Sequence, residues 1–229
     1  MITISVVSIT GVNKKIERSR MNSDKKLIKA YALETPADNK KLYAKWAATY
    51  ESSFAVAGDY QLPKHVAEAF AKSNIRHNIL DVGAGTGLLG ALLKNAGFTE
   101  IDGIDISPQM LLEAKKKCCY RQLFESDLTR PLKFIPDKSY SGIVSSGTFT
   151  NGHLGPSVLD ELLRVAQPNA VFALSVNANH WQKKLFDEAF IKLAPKITNL
   201  TVKSVQIYGA EASGPSKDDI CHIAQFLKS

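Results

Sequence analysis

Three observations in this sequence predict an α/β fold: a mostly parallel sheet with helices on both faces, closed by an antiparallel C-terminal strand. The first is the run Ile79-Leu80-Asp81-Val82-Gly83-Ala84-Gly85-Thr86-Gly87-Leu88, which reads as strand, glycine turn and helix start. The second is the spacing of acids at the ends of apolar runs. Asp105 lies 24 residues after Asp81, and Asp127 lies 22 residues after Asp105. Each step is about one strand-helix unit, given roughly 30 residues for a full βαβ. The third is the ending, where 200–207 and 220–227 are extended runs with no helical pattern between them.

In chain order, a helix carrying Tyr43, Trp46 and Tyr50 comes first, with the three aromatics at i, i+3 and i+7 on one face. Pro63 and His65 mark the start of another helix, where His65 has a structural role. A strand over 78–82 precedes a helix over 86–96, and a strand over 100–104 precedes a helix over 108–117. A short strand covers 120–125. Then come a strand over 140–145, a helix over 158–165, a strand over 171–176 after the turn Pro168-Asn169, and a helix over 181–193. Asp81, Asp105 and Asp127 thus share the carboxyl edge of the parallel strands, where open α/β sheets bind ligands. Acids before helices are also common turn residues and N-caps, an alternative open for Asp105 and Asp127.

At 229 residues and 45% hydrophobic content, one domain with a sizeable core is expected. The organisation reads as a basic extension over 1–30, a helical lid over 31–75 and a ligand-binding body over 76–229. The formal charge of +7 is unevenly placed: residues 1–30 carry seven Lys or Arg against two acids, and the other 199 residues carry only +2. The body is therefore poorly suited to nucleic acid, and only the arm could serve such a partner. No apolar run approaches the ~18 residues of a membrane span. Bases follow rather than precede the apolar start, so export is not expected. Cys118, Cys119 and Cys221 lack C-x-x-C spacing, which fits a reducing, cytoplasmic setting and no metal site.

The glycine turn narrows the ligand. A dinucleotide fingerprint after Gly83 and Gly85 would need glycine where Leu88 stands, and a P-loop would need a lysine, absent from 79–93. The remaining pattern, D-x-G-x-G-x-G, resembles the first motif of class I S-adenosylmethionine (SAM) methyltransferases. The resemblance implies a Rossmann-like sheet, SAM as cofactor, S-adenosylhomocysteine (SAH) as product, and a lid ahead of the first strand. A carboxylate accepts two hydroxyls, so Asp105 suits the ribose, and Asp127 suits the adenine amino group. The family pattern carries a backbone N–H for the ring onto Leu128. Ile106 and Met110 face adenine or simply pack. Gly83, Ala84, Gly85 and Gly87 approach the methionine part, Asp81 its ammonium, and Ser145 and Ser146 border it after the fourth strand. Tyr43 and Trp46 either join the core or meet the sulfonium, which aromatic faces attract.

The acceptor is sought in loops at the same edge. The loop 145–156 lacks the Asn/Asp-Pro-Pro-Tyr of nucleic-acid amino methyltransferases. Its His153 has the unperturbed pKa for proton removal near neutrality and is the catalytic candidate, with hydrogen bonding within the loop as the alternative. Phe149, His180 and Trp181 are the substrate candidates; Phe149 alternatively packs, and Asn179 as a cap with Trp181 in the core is the alternative for the latter pair. A closer resemblance joins 41–51, the glycine turn and Gly147-Thr148-Phe149-Thr150-Asn151-Gly152-His153-Leu154-Gly155-Pro156. Over about 40–180 these resemble the methyltransferase-like proteins of the Williams–Beuren syndrome chromosomal region. That family tends to have histidine where Asn151 stands, so His153 alone is carried over. The expectation is a SAM methyltransferase acting on a small molecule. Alternatives are a protein or RNA methyltransferase using the basic arm, and a SAM-binding protein without transferase activity.

Overall fold

A computed structural model describes residues 36–51, 59–212 and 216–229. The basic extension and the first part of the lid lie outside these residues. The elements run α1 (Pro36–Trp46), α2 (Leu62–Ala71), β1 (Ile79–Val82), α3 (Leu88–Asn95), β2 (Ile101–Asp105), α4 (Pro108–Lys116), β3 (Gln122–Glu125), β4 (Tyr140–Phe149), α5 (Leu159–Val165), β5 (Ala166–Asn177), α6 (Ala178–Lys183), α7 (Phe186–Leu193), β6 (Ile197–Gln206) and β7 (Ile220–Lys228). They form a seven-stranded sheet in the order β3-β2-β1-β4-β5-β7-β6. All neighbours are parallel except β7, which is antiparallel to both β5 and β6. The expected mostly parallel sheet with an antiparallel C-terminal strand is therefore found.

β1 is buried along its whole length because both faces of the sheet are covered. Successive residues serve opposite faces: Ile79 joins a core with Phe70, Leu93 and Ile101, while Leu80 joins one with Ile143, Phe172 and Phe226. Phe172 and Phe226 stack at 4.4 Å between centroids across the β5–β7 pair. Register places the functional edge. Val82 pairs with Ile104 and Asp105 pairs with Glu125, so the parallel strand ends are nearly level and Asp81, Asp105 and Asp127 converge.

Several boundaries differ from the expectation, each for a local reason. Asn78 and Glu100 take φ of +53° and +52°, so β1 and β2 start one residue later. Gly87, at φ +86°, is the N-cap, and α3 begins at Leu88 rather than Thr86. The single helix expected over 181–193 is two helices, broken at Leu185 with φ +55°. Trp181 and Phe186 are five apart, a spacing that one helix cannot place on one face. The break lets both enter the core, stacked at 5.4 Å. β5 starts five residues early because Ala166 pairs with Tyr140, and the expected turn appears as a left-handed Asn169 within the strand.

A polar network braces the far side of the sheet. Buried Asp102 accepts from Arg121 Nε at 3.0 Å and Nη2 at 2.7 Å, from Tyr140 Oη at 2.9 Å and from Gln122 N at 3.1 Å. Among the described residues no helix is long and apolar enough to cross a membrane.

Tyr120, just before β3, lies in a slot made by three glycines. A Cβ on Gly90 would overlap the Tyr120 ring, and one on Gly87 or Gly103 would come within 3.0 Å of it. Alanine in a helix is ordinarily favoured over glycine by about 1 kcal/mol. Overpacking costs about 1–3 kcal/mol. Gly90→Ala should therefore lose the usual helix gain and destabilise, lowering the urea midpoint by the equivalent of up to about 2 kcal/mol. A midpoint raised above that of the parent would show that the slot is not tight.

Candidate functional site

The turn between β1 and α3 is built from three left-handed glycines, Gly83, Gly85 and Gly87, at φ +73°, +54° and +86°. Only glycine takes such a series without strain. Gly83 and Ala84 both donate their N–H to Ile104 O, at 2.8 and 3.0 Å, which docks the turn against the tip of β2. A Cβ on Gly83 would overlap Thr148, whose hydroxyl donates to Val82 O at 3.1 Å, so β4 closes on the turn from the other side.

A cavity of about 130 Å³ opens over this turn. From β1 and the turn it is lined by Asp81, Gly83, Ala84, Gly85 and Thr86. From β2 and α4 come Asp105, Ile106 and Met110, and beyond β3 Asp127 and Leu128. Ser146, Thr148 and His153 line it from the end of β4 and the following loop, and Tyr43, Tyr50 and Tyr60 from the lid side.

The three acids have different surroundings. Asp105 accepts from Gly85 N at 2.9 Å through Oδ2 and from Ser107 N at 2.8 Å through Oδ1. Burial raises its pKa, and these backbone donors oppose the rise. Asp81 is 1% exposed. Burial pushes its carboxyl up to about 7, against the lowering effect of the Tyr120 hydroxyl that donates to Oδ2 at 2.7 Å; the charge of Asp105 adds to the rise. Asp127 accepts from Thr129 N at 2.9 Å and Thr129 Oγ1 at 2.7 Å, so it is a turn residue that also lines the cavity.

His153 sits where the lid meets the loop after β4, with Tyr43 edge-on to its ring at 5.4 Å. Burial, reinforced by nearby His180, pulls its pKa down to about 4, so the imidazole is neutral at neutral pH. A base this weak is poorly matched to proton removal at pH 7. Among the described residues its buried Nε2 has no hydrogen-bond partner, nor do Thr86 Oγ1 and Thr150 Oγ1. Tyr43, Trp46 and Tyr50 do share one face, with Tyr43 at 5.6 Å from Trp46 and 6.3 Å from Tyr50.

Several candidates lie elsewhere. Trp46 and Phe149 line a second, smaller cavity next to the first. Ser145 is fully buried, its hydroxyl spent on Val82 O at 2.7 Å, so it does not reach the cavity as expected. Gly87 is the helix cap rather than a lining residue. His180 and Trp181 line neither cavity, which corrects their reading as substrate contacts. Asn177 rather than Asn179 caps α6, accepting from His180 N, and this turns Trp181 onto Phe186 and Phe190. His180 Nε2 instead meets Leu154 O at 2.8 Å and ties down the loop after β4.

Sequence reasoning missed Tyr120, Thr86, Thr148 and Tyr60. Tyr120 is 39 residues from Asp81 and carries no local signal. Thr86 lies inside the glycine run, where a hydroxyl between two glycines was the available sign.

The donor set fits a nucleoside with an aminoacyl tail. An ionised carboxylate has about four acceptor positions. Asp105 uses one on each oxygen, which leaves room for a diol. Apolar Ile106, Met110 and Leu128 provide faces for a flat base, and the buried carboxyl of Asp81 lines the same cavity.

Residues 79–169 match the family model described as a methyltransferase domain. The chain is 27% identical over 154 residues to methyltransferase-like protein 27 of Homo sapiens, covering 66% of this chain and 62% of that protein. It spans about three-fifths of the length of the curated relatives it matches. Among solved structures, the [4+2]-cyclase SpnF superposes with a TM-score of 0.62 at 15% identity, covering 86% of this chain and 97% of that one. A putative S-adenosyl-L-methionine-dependent methyltransferase from Methanococcus maripaludis gives 0.56 at 15% identity, covering 80% and 91%. This chain shares the fold of these solved structures, and its glycine turn and row of acids fall within the residues that match the methyltransferase-domain model.

Proposed function

We propose that this chain transfers the methyl group of SAM to a small-molecule acceptor. The observation that carries the reading is Asp105, a half-buried carboxylate at the tip of β2 that anchors the glycine turn and lines the cavity with acceptor capacity to spare. In this reading Asp105 holds the ribose hydroxyls, while Ile106, Met110 and Leu128 enclose the adenine with Asp127 at its amino group. Gly83, Ala84 and Gly85 lie along the methionine backbone, with Asp81 at its ammonium and Ser146 beside it. Tyr43 faces the sulfonium. SAM, when bound, supplies an electrophilic methyl group. The chain's own contribution is alignment and exclusion of water, since charge disperses as the methyl transfers. His153, neutral and buried, orients the acceptor and receives its proton only as the new bond forms. The nearly balanced charge of the body supports a small acceptor over a nucleic acid. The free thiols Cys118, Cys119 and Cys221 support a cytoplasmic setting.

Removing the Asp105 carboxylate deletes two charge-assisted hydrogen bonds, worth about 3 kcal/mol together. Calorimetric titration of Asp105→Ala should show SAM and SAH binding weakened at least about 100-fold. Unchanged affinity, or binding of NAD by the parent protein, would overturn the cofactor assignment.

Asp81 makes the affinity pH-dependent. Its carboxyl is largely protonated below about pH 7, and an ammonium favours the ionised form. SAM affinity should therefore rise with pH up to about 7, by at most tenfold per unit, and flatten above; in Asp81→Asn it should be weaker and level. Stability runs the other way, because the folded pKa is raised. This carboxyl's contribution is complete below its ordinary value of 3.8, declines as pH rises and is lost above about 7. Asp81→Asn should thus raise the melting temperature of the cofactor-free protein at pH 8, with an upper bound of about 4 kcal/mol. A lower melting temperature at pH 8 would refute the account of Asp81.

A further inference from the structure

Beside the first cavity lies a second of about 60 Å³. The two share Tyr43, Tyr50, Tyr60, Gly147 and His153, so a molecule in the second abuts whatever fills the first. The remaining walls are mainly apolar, with Trp46, Phe149 and Tyr208 foremost. Among the described residues, no Asp, Glu, Lys or Arg lines it. Four of its titratable groups, Tyr43, Tyr60, His153 and Cys221, are also uncharged at neutral pH. Burial raises the Tyr43 and Tyr60 hydroxyls, pushes the Cys221 thiol up to about 12, and holds His153 neutral. Two buried polar atoms in this wall have no hydrogen-bond partner among the described residues, Thr150 Oγ1 and His153 Nε2. An unpaired buried polar group costs about 1–3 kcal/mol, which a ligand's hydrogen bond would recover.

These features select an occupant. A carboxylate would find no cationic side chain in this wall, and an alkylammonium no carboxylate and a like-charged sulfonium beside it, so either ion would be poorly compensated by the protein. At about 60 Å³, against the roughly 150 Å³ that encloses a whole benzene ring, the cavity takes the hydroxyl-bearing part of a compact molecule whose remainder lies toward the adjoining cavity of about 130 Å³. The unpartnered pair wants a group that donates and accepts at one atom, which is what a hydroxyl does.

We infer that the second cavity receives the methyl acceptor, and that this acceptor is an uncharged, single-ring compound with a hydroxyl nucleophile, of the phenol class. The inference rests on the methyl-transfer reading above. A lone pair of the hydroxyl oxygen forms the new O–C bond while the S–C bond breaks, its electron pair staying on sulfur. The oxygen becomes strongly acidic as it bonds to carbon, and its proton passes to His153 Nε2 and then to water. Thr150 holds the oxygen in line. A weak base suffices because the proton moves late.

The test uses the full chain saturated with SAH and three para-methyl single-ring probes of different charge: 4-methylphenol, 4-methylbenzoate and 4-methylbenzylamine. Saturation-transfer NMR and calorimetry should show 4-methylphenol binding at least tenfold more tightly than the anion or the cation. Thr150→Val, which keeps shape and removes the hydroxyl, should weaken 4-methylphenol fivefold or more and leave SAH affinity unchanged. With SAM in place of SAH, mass spectrometry should find 4-methylanisole. Failure of SAH itself to bind would overturn the methyl-transfer reading. With SAH bound, four results would each overturn the acceptor inference alone: no phenol binding, an ion bound as well as the phenol, an unaffected Thr150→Val, or a bound phenol left unmethylated. The charge comparison is made on the parent protein, so it stands even if the variant does not fold.

Discussion

Left-handed backbone at Gly83, Gly85 and Gly87 is the constraint on which the site depends. It turns the chain sharply at the end of β1, so that the N–H groups of Gly83 and Ala84 reach Ile104 O and the N–H of Gly85 reaches the Asp105 carboxylate. Two neighbouring strand ends are thereby tied at a fixed distance. Thr148 fills the space that a Cβ on Gly83 would take, which brings β4 and its loop over the same turn. A cavity walled by three strand ends follows from one backbone conformation.

Around that turn the chain buries ionisable groups and holds them neutral or nearly so. Asp81 is raised toward neutrality and His153 is lowered well below it, in both cases chiefly by desolvation. Asp102, by contrast, is buried at the opposite edge of β2 with Arg121, Tyr140 and the Gln122 backbone all donating to it. The difference separates a brace from a binding site. Fully partnered polar groups stiffen the sheet, whereas acceptor and donor capacity left open beside a cavity waits for a ligand.

The lid adds an aromatic roof. Tyr43, Trp46 and Tyr50 present one face downward, and polar contacts at its margin, Lys40 to Glu125 at 2.7 Å and Lys117 to Glu51 at 2.5 Å, link it to the sheet side. The exposed Lys40–Glu125 pair contributes little, about 0–1 kcal/mol, while Lys117–Glu51 is partly buried. Packing of buried Trp46 and Ala47 against the rest of the molecule does more to hold the roof in place.

Much of this was legible in the residues. The parallel body, the antiparallel ending and the row of acids follow from period and spacing, because strand and helix lengths are set by local geometry. The glycine turn could be recognised for the same reason: left-handed backbone demands a residue type at each position. Side-chain destinations were not legible. Asn177, rather than Asn179, caps α6, and a single left-handed Leu185 sends Trp181 and Phe186 into the core, so His180 and Trp181 leave the site. Tyr120 reaches Asp81 across 39 residues only because three glycines make room for its ring. His153 looked like a base by its ordinary pKa, and its burial made it a neutral imidazole. The sequence by itself determined the scaffold and the glycine turn, which arise from backbone conformation. Tertiary packing alone decided which polar groups are desolvated, which are partnered, and which face the cavities, since these depend on neighbours far away in the chain.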